Sequence, residues 1–244
     1  SNIAMKLNGD ILYDLLQSER AVVNFSGGNT RVFSDFADKL PEKTEDDEGQ
    51  YTVQLITEGK IKDNILEMVN AAEEGDKLSV GLFYLSDRDI VEAFKAALDR
   101  NVEMNMILDI NQDAFGNEKN GVPNRPVADE LTTHDNPANI RWYKSGGEQY
   151  HAKFIMLEAE GEVIFNGGSA NFTRRNLENY NLETNVLVTA PADSDFAGEI
   201  TEYFNRLWTN EDADYTLDYE EEAEESLMKT ILYRVQEATG LSTF

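Results

Sequence analysis

The chain has no cysteine, two histidines and five prolines among its 244 residues, and 21 basic residues against 47 acidic ones. The missing cysteines exclude disulfides and thiolate metal sites and leave the redox compartment open. Two histidines, at positions 134 and 151, argue against a multi-histidine zinc site. A formal net charge of −26 argues against a general electrostatic grip on nucleic acid or anionic lipid. It still leaves room for a small positive pocket within an acidic surface, and such acidity also fits a high-salt habitat. No apolar run approaches the ~20 residues that span a bilayer, and no signal-peptide pattern is visible. Because the sequence does not open on methionine, missing targeting segments say nothing about a parent protein.

What is present belongs to a globular protein: 41% hydrophobic and 10% aromatic residues, in a length that suggests one or two domains. Ile3–Leu7 reads as a short strand, followed by a helix from about Asp10, with Asp10 as its N-cap. Phe25–Glu48 reads as an exposed connector ending in the acidic run Glu45–Glu48. From Tyr51 the pattern is regular. A strand Tyr51–Ile56 precedes a helix Lys60–Ala72 with Ile61, Ile65 and Val69 on one stripe. Leu78–Tyr84 alternates as a strand, Ser86 reads as the N-cap of a helix carrying Ile90, Phe94 and Leu98, and Val102–Leu108 alternates again. This β-α-β-α-β order predicts an α/β fold with an at least partly parallel sheet. The polar stretch Asn111–Asn124 follows a strand's C-terminal end, where ligands of open α/β sheets tend to sit. It reads equally well as a surface excursion or as a substrate-shaping loop. His134, in the polar run THDNPAN, reads as a turn residue. Further on come a helix near Val127–Leu131, a strand Ile140–Tyr143 and a strand Thr184–Thr189. A helix capped by Ser194, an acidic linker Asp212–Glu225 and a helix Ser226–Ala238 complete the chain.

The densest chemistry lies between Tyr150 and Asn185. His151 and Lys153 are two apart, so on a strand they address one face. The apolar runs Phe154–Leu157 and Val163–Phe165, joined by Ala159-Glu160-Gly161, read as a hairpin. That hairpin would return Gly167-Gly168-Ser169-Ala170-Asn171 beside them. An imidazole, an ammonium, a hydroxyl and a carboxamide would then surround one point, a set suited to a phosphoryl group. A lone strand histidine is more often a structural residue, and the ordered set carries more weight than any single member.

His151-Ala152-Lys153, four residues, Glu158, then Gly168-Ser169-Ala170-Asn171 and Asn181-Leu182-Glu183 resemble the phospholipase D superfamily. Its signature is H-x-K-x4-D followed by a G-S-x-N or G-G-x-N loop. The resemblance extends over Tyr51–Val188 and is closest to the second half of two-motif bacterial proteins of the phospholipase D and cardiolipin synthase type. Glu158 replaces the usual aspartate, and the stretch from it to Gly168 is a few residues longer than usual. In the family that acid supports the structure. The resemblance implies a mixed sheet flanked by helices on both faces, with residues 51–211 forming one repeat. Residues 1–50 would be the tail of a preceding repeat plus an acidic connector, and residues 212–244 an acidic linker and helix. The spacing from Asn2-Ile3-Ala4-Met5 to a helix echoes that from Asn185-Val186-Leu187-Val188 to its helix, which fits such a tail.

The resemblance also implies catalysis through a phosphohistidine, with His151 as one of two histidines and Lys153 and Asn171 on phosphate oxygens. Ser169 would support the phosphate site and Glu183 would orient and polarise an imidazole. No metal or other cofactor is implied. The expected activity is a phosphodiesterase or phosphatidyltransferase acting on phospholipid. The alternatives are a nuclease, which the acidity disfavours, and an inactive half that binds its partner lobe. Only one His/Lys set is present, so the expected partner is an upstream repeat of the same protein or a second chain in a homodimer. A parent protein of this kind is expected to be membrane-associated or exported.

Overall fold

The computed structural model describes residues 2–40, 51–111, 113–114, 117–118, 121–223 and 226–239. Its centre is an eight-stranded mixed sheet in the order β1-β9-β8-β7-β2-β3-β6-β10. The strands are β1 (Thr52–Thr57), β2 (Lys77–Leu82), β3 (Glu103–Asp109), β6 (Asn139–Tyr143), β7 (Lys153–Ala159), β8 (Glu162–Gly168), β9 (Thr184–Pro191) and β10 (Thr216–Asp218). The short pair β4 (Asp113–Ala114) and β5 (Asn117–Glu118) stands apart within the polar loop. The strands β2, β3 and β6 run parallel, and every other neighbouring pair is antiparallel. This is the expected α/β mixed sheet.

Alternation along the strands explains why both faces are covered. Leu78, Val80 and Leu82 of β2, with Met104, Met106 and Leu108 of β3, meet Ile61, Ile65 and Val69 of α3 (Gly59–Ala71). The same layer takes in Ile90, Phe94 and Leu98 of α4 (Arg88–Asp99) and Val127 and Leu131 of α5 (Asn124–Thr132). On the opposite face Phe154 and Met156 of β7, Phe165 of β8 and Val188 of β9 pack against Ile200, Phe204 and Leu207 of α7 (Asp195–Thr209). Phe154 stacks on Phe165 at 5.6 Å between centroids and meets Phe204 edge-on at 6.4 Å. Aromatic pairs of this kind contribute ~0.5–1.5 kcal/mol beyond their area. The hairpin appears where expected: Glu160 (φ 49°) and Gly161 (φ 81°) form a two-residue turn whose left-handed backbone matches the strand twist.

Four local expectations are corrected. Asn2–Asn8 is not a strand: it is unpaired chain in which Ile3 and Met5 pack beside the α7 layer. The helix α1 (Ile11–Phe25) begins after Asp10 as expected, and the expected connector beyond it contains a further helix, α2 (Arg31–Ala37). Residues 41–50, with the acidic run, lie outside the described residues. The cap of α4 is Asp87, whose carboxylate accepts the N–H groups of Asp89 (3.1 Å) and Ile90 (3.2 Å), whereas Ser86 is buried and bonded elsewhere. Within the expected linker Asp212–Glu225, β10 joins the sheet edge beside β6, and the Trp142 indole N–H donates to the Tyr219 carbonyl at 2.9 Å. Glu158 is paired with Lys77 across β7 and β2 at 3.1 Å, a structural place for that acid. His134 sits on Asp99 at 2.9 Å, at the surface.

The parallel strands end in a buried polar knot. The Asn124 amide donates to the carbonyls of Phe83 (2.9 Å) and Asp109 (2.8 Å), and its oxygen accepts the Leu85 N–H (2.8 Å). Asn111 donates to the same Phe83 carbonyl at 2.9 Å, and its own oxygen accepts the Asn124 N–H at 3.1 Å. The ends of β2 and β3 are thereby tied to each other and to α5. Removing the Asn124 side chain takes this partner from the Leu85 N–H and the Asp109 carbonyl, at ~1–3 kcal/mol each, while the Phe83 carbonyl keeps Asn111. Asn124→Ala is therefore expected to lower unfolding free energy by about 3 kcal/mol or more in urea denaturation. His134→Ala should stay within about 0.5 kcal/mol of the parent, because its contact with Asp99 is a surface one.

Candidate functional site

The polar knot aims the end of β2 at the expected site. The Phe83 N–H donates to the Ala152 carbonyl at 3.0 Å, and the Phe172 N–H donates to the Tyr84 carbonyl at 3.0 Å. The segment carrying His151 and the loop carrying Asn171 are thus hung on consecutive residues of one strand end. The Tyr150 N–H completes the frame by donating to the Asp109 carboxylate at 2.7 Å. Burial raises the pKa of Asp109 against these backbone donors.

His151 and Lys153 meet over one aromatic ring. The His151 imidazole lies 5.0 Å from the Phe83 ring centroid, and Lys153 Nζ lies 5.2 Å from it. Lys153 is buried, and its Nζ donates to the His151 carbonyl at 2.8 Å, while the His151 side chain faces solvent. Desolvation pushes the Lys153 ammonium down to about 8, against the opposing pull of Glu183 and Asp109. Desolvation, and then the Lys153 charge, also lower the pKa of His151. A neutral imidazole with a free lone pair is the form that attacks phosphorus.

The glycine loop is built by close backbone approach. A Cβ on Gly168 would sit 2.3 Å from the Thr184 carbonyl oxygen and 2.4 Å from Asn185 Oδ1, so only glycine fits there. That approach lets the Ser169 N–H donate to the Thr184 carbonyl (3.0 Å) and the Ser169 hydroxyl accept the Thr184 N–H (3.0 Å). The same hydroxyl donates to Glu183, whose other oxygen accepts from the Asn176 amide. Asn171 Oδ1 is buried without a hydrogen-bond partner among the described residues. A buried carboxamide oxygen in this state is free to accept a hydrogen bond from a donor.

His151 and Lys153 are therefore brought together, and Ser169 and Glu183 are bonded to each other. The hydrogen bonds of Glu183 go to Ser169 and Asn176. The residues that sequence reasoning missed are Phe83, Asp109, Asn111, Asn124 and Asn176. The one local signal for them was polar amides clustered just beyond apolar strand ends.

A mixed sheet covered on both faces, with a His-x-Lys segment leading into β7 beside a Gly-Ser-x-Asn loop, places the chain in the phospholipase D superfamily. Residues 65–208 match the family described as "Cardiolipin synthase, PLD-like domain", and the chain belongs to it. Cardiolipin synthase 1 of Staphylococcus epidermidis is 25% identical over 214 residues, covering 82% of this chain and 39% of that protein. The chain thus spans about two fifths of that curated relative's length. Among solved structures, phosphatidylserine synthase of Haemophilus influenzae superposes with a TM-score of 0.55 at 12% identity, over 87% of this chain and 52% of that one. The phospholipase D family member Nuc of Salmonella typhimurium gives 0.51 at 20% identity, over 69% and 98% respectively. These two likenesses are likenesses of fold.

The lowered pKa of Lys153 has a testable sign. Its charged form is present below about 8 and is lost above it. Affinity for inorganic phosphate, followed by 31P NMR, should hold between pH 7 and 8 and fall at higher pH by at most ~10-fold per unit. Lys153→Met should weaken binding and remove that dependence.

Proposed function

We propose that this chain supplies one His/Lys half of a two-motif phosphodiesterase or phosphatidyltransferase that acts on phospholipid. The observation that carries the reading is the convergence on Phe83 of a His151 biased toward its neutral form and a buried Lys153. In this reading an unprotonated His151 nitrogen attacks phosphorus while the P–O bond to the leaving alcohol breaks. A protonated histidine of a second lobe gives its proton to the departing oxygen. Water or another alcohol then attacks the phosphohistidine and passes its proton back to that second imidazole, and the P–N bond breaks. Lys153 and the Asn171 amide hold the non-bridging oxygens, where charge accumulates. Ser169 and Glu183 support the loop, and the Glu183 carboxylate is also available to a histidine of the second lobe.

The second lobe is an upstream repeat of the same protein or a second copy of this chain. A match to 39% of a curated cardiolipin synthase supports the first form. The single His-x-Lys sequence in the chain supports either.

The test compares the 244-residue chain, proven monomeric by sedimentation, with a longer protein carrying both motifs. The monomer should not cleave a bis-aryl phosphodiester and the two-lobed protein should. In the latter, His151→Asn should cost ~10³-fold or more in kcat. EDTA-resistant turnover by the monomer would overturn the two-lobed arrangement. Phospholipid should compete better than single-stranded DNA for the active protein, and the reverse order would overturn the lipid assignment.

A further inference from the structure

The C-terminal helix α8 (Leu227–Thr239) buries a carboxylate and leaves apolar side chains in water. Glu237 is 3% exposed, whereas Met228, Ile231 and Val235 are 80%, 64% and 54% exposed. That reverses the usual order for a surface helix, and a buried carboxylate needs partners to offset its desolvation. Its partners lie at the functional loop. One Glu237 oxygen accepts the Arg174 N–H at 2.7 Å, and the other accepts the Ser86 hydroxyl at 2.8 Å. The Arg174 guanidinium reciprocates by donating to the carbonyls of Glu237 (3.2 Å) and Ala238 (2.6 Å). These belong to the last turn of α8, where carbonyls lack helical partners and a cation is favoured.

Ser86 and Arg174 bracket the loop that presents Asn171. The N–H groups of Ser86 and Asp87 both donate to the Phe172 carbonyl, at 2.8 and 2.9 Å. Arg174 opens the short helix α6 (Arg174–Leu177), which holds Asn176 against Glu183. Thr173, between them, donates its hydroxyl to the Asn176 side-chain oxygen at 2.7 Å. A single carboxylate on α8 therefore joins Arg174, two residues beyond Phe172, to Ser86, whose N–H holds the Phe172 carbonyl.

We infer that Glu237 is a positioning residue for the phosphate-binding loop, setting the placement of the Asn171 amide and, through α6, of Glu183. Its functional consequence rests on the phosphate-site reading above, whereas the clamp itself stands on the hydrogen bonds. Glu237→Leu removes both acceptors. Glu237→Gln keeps an oxygen for the Arg174 N–H, and its amide can donate to the Ser86 hydroxyl, which also accepts.

Hydrogen exchange of the whole 244-residue chain and 31P NMR titration with inorganic phosphate test the clamp together. Glu237→Leu should speed exchange of the amides of residues 170–177 about 10-fold or more, with β7 and β8 unchanged. It should also weaken phosphate binding by about 3- to 10-fold. Glu237→Gln should restore most of both. Ser86→Ala, which removes one of the two grips, should give the same pattern at smaller amplitude. Unchanged exchange at 170–177 in Glu237→Leu overturns the inference. Should that variant unfold globally, Ser86→Ala decides: a selective rise at 170–177 supports the clamp, and no change overturns it. If the parent chain binds no phosphate, the phosphate reading fails, while the exchange measurement still decides whether the clamp exists.

Discussion

The structure of the site depends on one residue's backbone, that of Phe83, at the point where β2 leaves the sheet. Its carbonyl accepts amides from Asn111 and Asn124, and its N–H donates to Ala152. Its ring lies against both His151 and Lys153. Buried backbone groups must be paired, and here the pairing also carries information. The strand end can be satisfied only when α5, the end of β3 and the histidine segment are all in place. A shift of any one would leave a buried carbonyl or N–H without a partner, which is why distant parts of the chain hold a common register at this spot.

Electrostatics follow from the same burial. In a chain with a formal charge of −26, an ammonium is expected to be surrounded by carboxylates that raise its pKa. Lys153 does feel Glu183 and Asp109, yet desolvation outweighs both and its pKa falls. The acidic surface therefore coexists with a buried lysine whose desolvation outweighs the pull of its carboxylate neighbours. His151, next to it, is biased toward the neutral form by the same two influences, burial and the lysine's charge. A pocket can thus oppose the sign of the whole molecule when a few residues are withdrawn from water and the rest are not.

Much of the fold was legible because its core strands bury alternate residues on two covered faces, leaving period-2 patterns in Leu78–Tyr84 and Val102–Leu108. The hairpin was legible from its turn and its two apolar runs. Elements fixed by contacts rather than by pattern were harder to see. Asp87 displaced Ser86 as the cap of α4 because Ser86 is used by Glu237, 151 positions away. Three residues, Thr216–Asp218, became an edge strand because Arg141 and Trp142 of β6 hold them and the adjoining turn. Ile3–Leu7 alternates like a strand, but it pairs with no strand among the described residues, and Ile3 and Met5 are held by packing alone.

The sequence by itself determined the chemistry on offer. A His-x-Lys segment and a Gly-Ser-x-Asn loop are local strings, and their side-chain types and glycine's small volume can be read wherever they fold. Only the tertiary structure decided how those groups are charged and held. Desolvation of Lys153 and the Phe83 ring it shares with His151 arise between segments far apart in the chain, and the bonding of Glu183 to Ser169 and Asn176 arises from the way the intervening loop folds back. Burial and hydrogen-bond pairing depend on what surrounds a residue in space, and no local pattern specifies that.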